Sequence, residues 1–167
     1  RGEGEKNQLQ ETLRRTETEL ASLERDLRKM TGLVSEQQKK LNSLQSQASQ
    51  FISAKQQQEA NMADLIAASY RMGREKNIKL LLNQENPEKL NRAIVYADYF
   101  NRSQLEALLQ YQTLLQEIEQ NQLAIREQTD ALLANKDALV EKQKQLKNQY
   151  QARSTTLANL NKTLQSD

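Results

Sequence analysis

The sequence predicts an all-α protein, a long antiparallel two-helix coiled-coil hairpin with one or two short helices in the connecting segment. Three observations support this prediction. The 167-residue chain has only four glycines and one proline, too few for the turns of a barrel or a many-stranded sheet. Two long tracts keep a heptad repeat. A segment of different character, which holds the only proline, separates these two tracts.

The first tract repeats apolar residues at alternating steps of four and three from Leu9 to Met72. Fourteen of the nineteen positions on these steps are apolar, although only 37% of the whole chain is hydrophobic. Because the phase never slips, the pattern indicates a coiled-coil helix. The predicted seam positions are Leu9, Leu13, Thr16, Leu20, Leu23, Leu27, Met30, Val34, Gln37, Leu41, Leu44, Ala48, Phe51, Lys55, Gln58, Met62, Leu65, Ser69 and Met72.

The second tract repeats the pattern from Leu108 to Leu164. Twelve of its seventeen predicted seam positions are apolar. One heptad position is always aliphatic: Ile118, Ile125, Leu132, Leu139 and Leu146. The predicted partner position beside it is always polar: Gln122, Thr129, Lys136 and Gln143. The same seven-residue step continues through Leu108 and Leu115 before this stretch and through Tyr150, Leu157 and Leu164 after it. A seam that is half polar predicts a weak zipper.

The segment between the tracts carries signals for helix ends. Gly73 is a candidate C-terminal stop for the first helix, and residues 74–84 are predicted to form a short separate helix. Asn86, Pro87 and Glu88 have the order of an N-cap, a proline at the first helical position and an acidic first turn. The predicted divisions are a first coiled-coil helix over 1–73, short helices and a return segment over 74–104, and a second coiled-coil helix over 105–167.

Composition excludes several classes of function. The chain has no cysteine and no histidine, and its 24 basic and 22 acidic residues are interspersed. We therefore expect no zinc site of the usual kind, no cofactor and no catalytic residues, since serine and threonine have no imidazole to activate them. The basic residues do not gather on one face, so the sequence does not predict nucleic-acid binding. No apolar run reaches the roughly 20 residues that span a bilayer. A start at Arg1 instead of methionine suggests a piece of a longer protein.

Aromatic residues concentrate in or beside the connecting segment, and a helical projection at about 100° per residue divides them between two faces. Leu90, Ile94 and Phe100 share one face with alanines and can pack inward. Val95 and Tyr99 project to the opposite face, with Tyr96 on the flank. Exposed apolar and aromatic side chains beside arginines are typical of protein-binding sites. The predicted partner-binding residues are Leu80, Val95, Tyr96, Tyr99, Arg92 and Arg102. The alternative is that these side chains only fill the tip of the hairpin.

The same region resembles a known family. Residues 68–73 and 78–83, followed by Pro87, Arg92, Tyr96 and the Tyr-Phe-Asn run at 99–101, are similar to the hairpin of murein hydrolase activators of the EnvC type. The resemblance is specific over about 62–104 and generic over the flanking heptads. It implies a periplasmic location and docking on the periplasmic domain of FtsX during cell division. It also implies a C-terminal LytM-type domain, beyond this sequence, that activates amidases of septal peptidoglycan.

Two other classes remain open from the residues alone. One is the periplasmic adaptor hairpin of an efflux or secretion system, although a proline-containing helix between the arms disfavours the tight turn of such hairpins. The other is a purely structural coiled-coil rod of parallel chains with no function at its tip. Flanking sequence separates the first of these from the activator, because an adaptor has lipoyl-like β segments where the activator has a LytM-type domain.

Overall fold

The structure, a computed structural model, describes the backbone of residues 2–82 and 87–166. It also describes their side chains, except those of residues 72–82, 87, 89–90 and 93–94. Two long helices, α1 (Gly2–Leu82) and α2 (Pro87–Ser166), account for all of the described backbone, which contains no strand. The helices pack against each other, which confirms the predicted all-α helical hairpin.

The helix boundaries agree with one predicted signal and not with the other. α2 begins at Pro87 with Glu88 in its first turn, as predicted. α1 does not end at Gly73, because the helix continues without a break to Leu82. The expected break of the helix at Gly73 is therefore wrong, and residues 74–82 belong to α1 instead of a separate short helix. Residues 83 and 84 of that expected helix lie outside the described residues. A glycine ends a helix when it takes a left-handed conformation, and no described glycine has a positive φ. A glycine inside a helix lowers the stability of the helix by only up to about 1 kcal/mol relative to alanine.

The chain forms two compact units, each made from part of both helices. Unit 1 comprises residues 1–42 and 126–167, and unit 2 comprises residues 43–125. In unit 1, Asn135 Nδ2 donates to Gln37 Oε1 at 2.8 Å, and Arg153 lies 3.5 Å from Glu17. In these pairs a later residue of α1 faces an earlier residue of α2. Unit 1 is therefore antiparallel, and the pairing lies within one chain, unlike the parallel pairing of a structural rod.

Unit 2 shows the same antiparallel order. The side-chain amide of Gln58 donates to the carbonyl of Ala107 at 3.2 Å, and that of Gln104 donates to the carbonyl of Leu65 at 3.4 Å. Along α2 in this unit, Asn121 donates to the carbonyl of Leu44 at 3.2 Å. Side-chain amides thus join the two helices by reaching the backbone of the opposite helix.

The predicted seam of α1 is confirmed at every position whose side chain is described. From Leu9 to Ser69, each residue on the alternating steps is buried or half-buried. Leu20, Leu41 and Thr16 are buried. Met72, the last predicted position, lies outside the residues whose side chains are described. Thr16 donates its hydroxyl to the carbonyl of Thr12 at 2.8 Å, so its burial leaves no unpaired donor.

The predicted seam of α2 is right at one heptad position and wrong at the other. The aliphatic position from Ile118 to Leu146 is buried or half-buried, as predicted. Eight of the nine predicted partner positions are exposed, and only Thr129 among them is half-buried. The residues one place earlier face α1 instead: Ala107, Leu114, Asn121, Gln128, Asn135, Lys142, Gln149, Thr156 and Thr163.

This one-residue displacement has a physical basis in the amide hydrogen bonds. Both offsets, three or four residues from the aliphatic position, suit a helix pair. Asn121 and Asn135, on the observed offset, donate across the seam to α1. Burying these polar side chains is tolerated because their hydrogen bonds are made. Leu115, Leu157 and Leu164, on the predicted offset, are left partly exposed.

Candidate partner-binding surface

Five of the six residues of the predicted surface lie on the first five turns of α2, in unit 2. Val95, Tyr96 and Tyr99 are 67%, 66% and 71% exposed. Arg92 and Arg102 are also exposed. The outward direction predicted for Val95 and Tyr99 agrees with this exposure, and partner binding by these residues stays a prediction. The side chain of Leu80, the sixth predicted residue, lies outside the described residues.

The opposite face of the same turns packs inward. Ala97 and Phe100 are half-buried, as the projection predicts, and the next inward positions, Gln104 and Ala107, continue this face. Leu90 and Ile94, the other large residues predicted to point inward, lie outside the described side chains. Since an α-helix has 3.6 residues per turn, burial of 97, 100, 104 and 107 directs residues 95, 99 and 102 away from α1. The exposure of Tyr99 thus follows from the packing of Phe100.

Charged groups frame this aromatic surface. Arg102 Nη2 lies 2.8 Å from Asp98 Oδ2, one helical turn earlier, and both side chains are largely exposed. An exposed i,i+4 pair contributes only a few tenths of a kcal/mol to helix stability, but it holds the Arg102 guanidinium over the turn between residues 98 and 102. The surface therefore combines aromatic rings, one β-branched side chain and arginine. This composition is common at the centre of protein–protein interfaces.

The described part of the chain offers no arrangement for metal chemistry. None of its Asp or Glu side chains gather in a group of three or more that could hold a metal ion. Within the same residues, neither helix contains an apolar stretch long enough to cross a membrane.

Sequence reasoning missed a second set of exposed apolar side chains in unit 2. Ile66, Tyr70 and Leu105 are more than half exposed, and none of them was predicted as a site residue. Leu108 and Leu115 are partly exposed although the sequence placed them in the seam. The signal was present in the heptad pattern. Ile66 directly follows the seam residue Leu65, and an apolar residue beside the seam widens the apolar stripe of a helix.

Comparisons with known proteins add no family to this geometry. No protein-family model matches the chain, and no curated protein is significantly similar to it.

Proposed function

We propose that this chain is the regulatory and recruitment arm of a periplasmic activator of septal peptidoglycan amidases. In this proposal the arm docks on the periplasmic domain of FtsX during cell division. The observation that carries the proposal is the exposed surface of Val95, Tyr96 and Tyr99 on α2. The resemblance of residues 62–104 to activators of the EnvC type is what supports FtsX as the partner. The activation of amidases belongs to the LytM-type domain that the resemblance implies.

The chemistry of the surface supports binding of a protein partner. Tyrosines combine a large apolar ring with a hydroxyl that pairs with polar groups at an interface. Leaving Tyr96 and Tyr99 in water exposes apolar area that burial against a partner removes. Arg92 and Arg102 give this surface a polar rim that carries positive charge. We therefore expect the binding site on the proposed partner to be an apolar depression with acidic or carbonyl groups at its edge.

The fold suits an extended arm that binds a partner better than a domain that encloses a ligand. The most buried side chains of each unit form a single seam between two helices. The proposed surface lies in unit 2, close in sequence to the point where α1 is followed by α2. Both helices lead from the bound partner into the rest of the chain. Movement of a membrane partner that holds these turns would thus act directly on both helices.

The experiment is titration calorimetry of the purified chain with the FtsX periplasmic domain. Tyr99→Ala is expected to weaken binding by about 30-fold, the loss of roughly 2 kcal/mol typical of an interfacial hot spot. The matched control is Leu123→Ala, which removes another exposed side chain of α2 in unit 2 and is expected to bind normally. Circular dichroism must show the same helicity for both variants. Normal binding by Tyr99→Ala would contradict the proposed site, and no binding by the unaltered chain would contradict the proposed partner.

A further inference from the structure

Unit 2 has two long flanks beside its seam, and they differ in chemistry. We call one the apolar flank. Its large apolar residues are between 39% and 71% exposed: Ile52, Ile66, Tyr70, Leu105, Leu108 and Leu115. The opposite flank, here the polar flank, presents Asn61, Asp64, Ala68 and Gln110. Over residues 43–71 and 101–125, no large exposed apolar side chain lies on the polar flank.

The apolar flank contains a groove shaped to take a side chain. Met62, Leu65, Ile66, Gln104, Ala107 and Leu108 line an opening of about 130 Å³ between the helices. This volume is close to the cavity of about 150 Å³ that truncation of a buried leucine leaves in a protein core. The groove can therefore accept one aliphatic side chain, and Ile66 and Leu108 form its two walls.

The heptad pattern of unit 2 exceeds what a two-helix seam requires. Two seam positions per heptad suffice for a pair of helices, whereas a third apolar position beside them is the pattern of helices that pack in a larger bundle. Ile52 and Ile66 follow the α1 seam residues Phe51 and Leu65. Leu108 and Leu115 follow the α2 seam residues Ala107 and Leu114. Both helices thus supply the third position, and both supply it on the same flank.

The spacing of Ile52, Ile66, Leu108 and Leu115 is symmetric to within one residue about one level of unit 2. Tyr111 donates its hydroxyl to Glu59 Oε1 at 2.6 Å, so these residues lie at the same level of α1 and α2. Ile52 and Ile66 lie seven residues to either side of Glu59. Leu108 and Leu115 lie three and four residues to either side of Tyr111. Such symmetry suits an isologous interface between two copies. In that interface residue i of one copy contacts residue j of the other, and residue j of the first copy contacts residue i of the second.

We propose that the apolar flank is an interface between two copies of this chain. A twofold axis at the level of Glu59 and Tyr111 runs α1 of one copy antiparallel to α1 of the other. Ile52 of each copy then comes level with the groove wall Ile66 of the other, and Leu108 comes level with Leu115. The product is an antiparallel four-helix arrangement in which the knobs of one copy fill the grooves of the other.

Charge and area both fit a second copy. Lys55 Nζ lies 3.8 Å from Glu59 Oε1, so the axis carries two carboxylates and two ammonium groups and is neutral. Six partly exposed apolar side chains, at on the order of 100 Å² each, give about 600 Å² a copy. The total of about 1,200 Å² is at the lower limit for a specific interface. The dimer is therefore expected to be weak.

The proposed interface leaves the aromatic surface of α2 free. Tyr96 and Tyr99 follow the heptad phase of the polar flank, and Val95 and Arg102 project to the outer face of α2. A dimer joined by the apolar flank therefore presents two aromatic surfaces at once. This inference does not depend on the proposed function, since it concerns a different flank and a different partner.

Sedimentation equilibrium from 5 to 500 μM tests the proposal with a matched pair of double variants. Ile66→Glu with Leu108→Glu places two carboxylates on the apolar flank. Asn61→Glu with Gln110→Glu places the same charges at exposed positions of the polar flank. The first variant is expected to stay monomeric, with dimer affinity at least 100-fold weaker, and the second to dimerise like the unaltered chain. A monomeric unaltered chain at 500 μM, or equal losses in both variants, would overturn the proposal.

A chemical cross-link provides a readout that does not depend on the stability of a variant. The chain has no cysteine, so a single one can be introduced at an exposed position near the axis. Gln56→Cys lies on the apolar side of α1. In the proposed dimer the two cysteines at position 56 are about 9 Å apart along the helix direction, which is six residues at about 1.5 Å each. Gln57→Cys lies on the polar side. A short bismaleimide is expected to link Gln56→Cys into dimers and to leave Gln57→Cys monomeric, and the reverse result would rule out this axis.

Discussion

The side-chain amide of Asn121 donates a hydrogen bond to the backbone carbonyl of Leu44 at 3.2 Å, and Asn121 is only 6% exposed. An asparagine at a seam position specifies the register of a coiled coil at a cost in stability. Its hydrogen bond is made only where the two helices are correctly aligned. The polar side chains of the α2 seam therefore specify how the helices pair, while the aliphatic position from Ile118 to Leu146 packs apolar side chains against α1.

The first prediction concerns Asn121→Leu. Burying a leucine there gains about 1.5–3 kcal/mol of apolar transfer, whereas the lost hydrogen bond contributes about 0.5–1.5 kcal/mol. We expect the variant to be more stable by roughly 1 kcal/mol, measured as the free energy of unfolding in urea. Gln122→Leu is the control, because Gln122 is exposed and its replacement should change stability by less than about 0.5 kcal/mol. A larger gain for Gln122→Leu would mean that the seam lies one residue later than observed.

The second prediction uses two adjacent leucines of unit 1. Leu132 is 4% exposed and Leu133 is 57% exposed. Leu132→Ala should cost about 2–3 kcal/mol, since the deleted methyl groups leave space between two helices that can partly close. Leu133→Ala should cost less than about 0.5 kcal/mol, because most of its side chain is in water in both states. Urea unfolding followed by circular dichroism measures both, and equal costs would contradict the observed orientation of α2.

The α1 seam was predictable because its apolar steps offer only one continuous phase, from Leu9 to Ser69. In α2 the residues Ile118 to Leu146 were equally clear. Their partner position was not, because Leu115, Leu157 and Leu164 made the wrong offset look more apolar than the correct one. The correct offset holds Asn121 and Asn135, whose cross-helix hydrogen bonds are not visible in a hydrophobic pattern. Hydropathy alone therefore misplaces a seam that is stabilised partly by amides.

The candidate site divides in the same way. The outward direction of Tyr99 followed from helical geometry, which depends only on residue spacing. The apolar flank is not evident from the sequence because Leu108 and Leu115 also fit the seam steps, which obscures their match with Ile52 and Ile66. The sequence misplaces the end of α1 because Gly73 matches a common helix-stop signal, although the helix continues to Leu82. A glycine pattern does not reveal whether tertiary packing carries the helix further.

The third prediction concerns Gly32, which lies inside α1. A Cβ built at this position meets no atom within 4 Å. Gly32→Ala should therefore stabilise the chain by about 0.5–1 kcal/mol, because alanine loses less backbone freedom on folding into a helix and causes no clash. The melting temperature measures the gain. Gly4→Ala, which is equally free of contacts but lies in the first turn, where helix ends fray, should give a smaller increase. A loss of stability in Gly32→Ala would show that another surface packs closely on this residue.

The last prediction concerns the pH dependence of the contact between Tyr111 and Glu59. The hydrogen bond that the hydroxyl donates to Glu59 raises the pKa of Tyr111 above its ordinary value, with smaller contributions from burial and from the charge of the carboxylate. The folded protein thus holds the phenolic proton more tightly than the unfolded chain does. The resulting stabilisation is fully present below the unfolded pKa of about 10 and is lost as the pH rises through the folded pKa.

Tyr111→Phe should consequently lower the urea midpoint at pH 7 and pH 9, and the difference from the unaltered chain should narrow towards pH 11. The control is Tyr96→Phe, which removes a hydroxyl from an exposed tyrosine of the same helix and should leave the midpoint unchanged at each pH. Glu59→Gln should reduce the difference between Tyr and Phe at residue 111, because the remaining amide oxygen accepts a weaker hydrogen bond than a carboxylate. A difference that stays constant from pH 7 to pH 11 would mean that the phenylalanine acts through packing and not through the lost hydrogen bond.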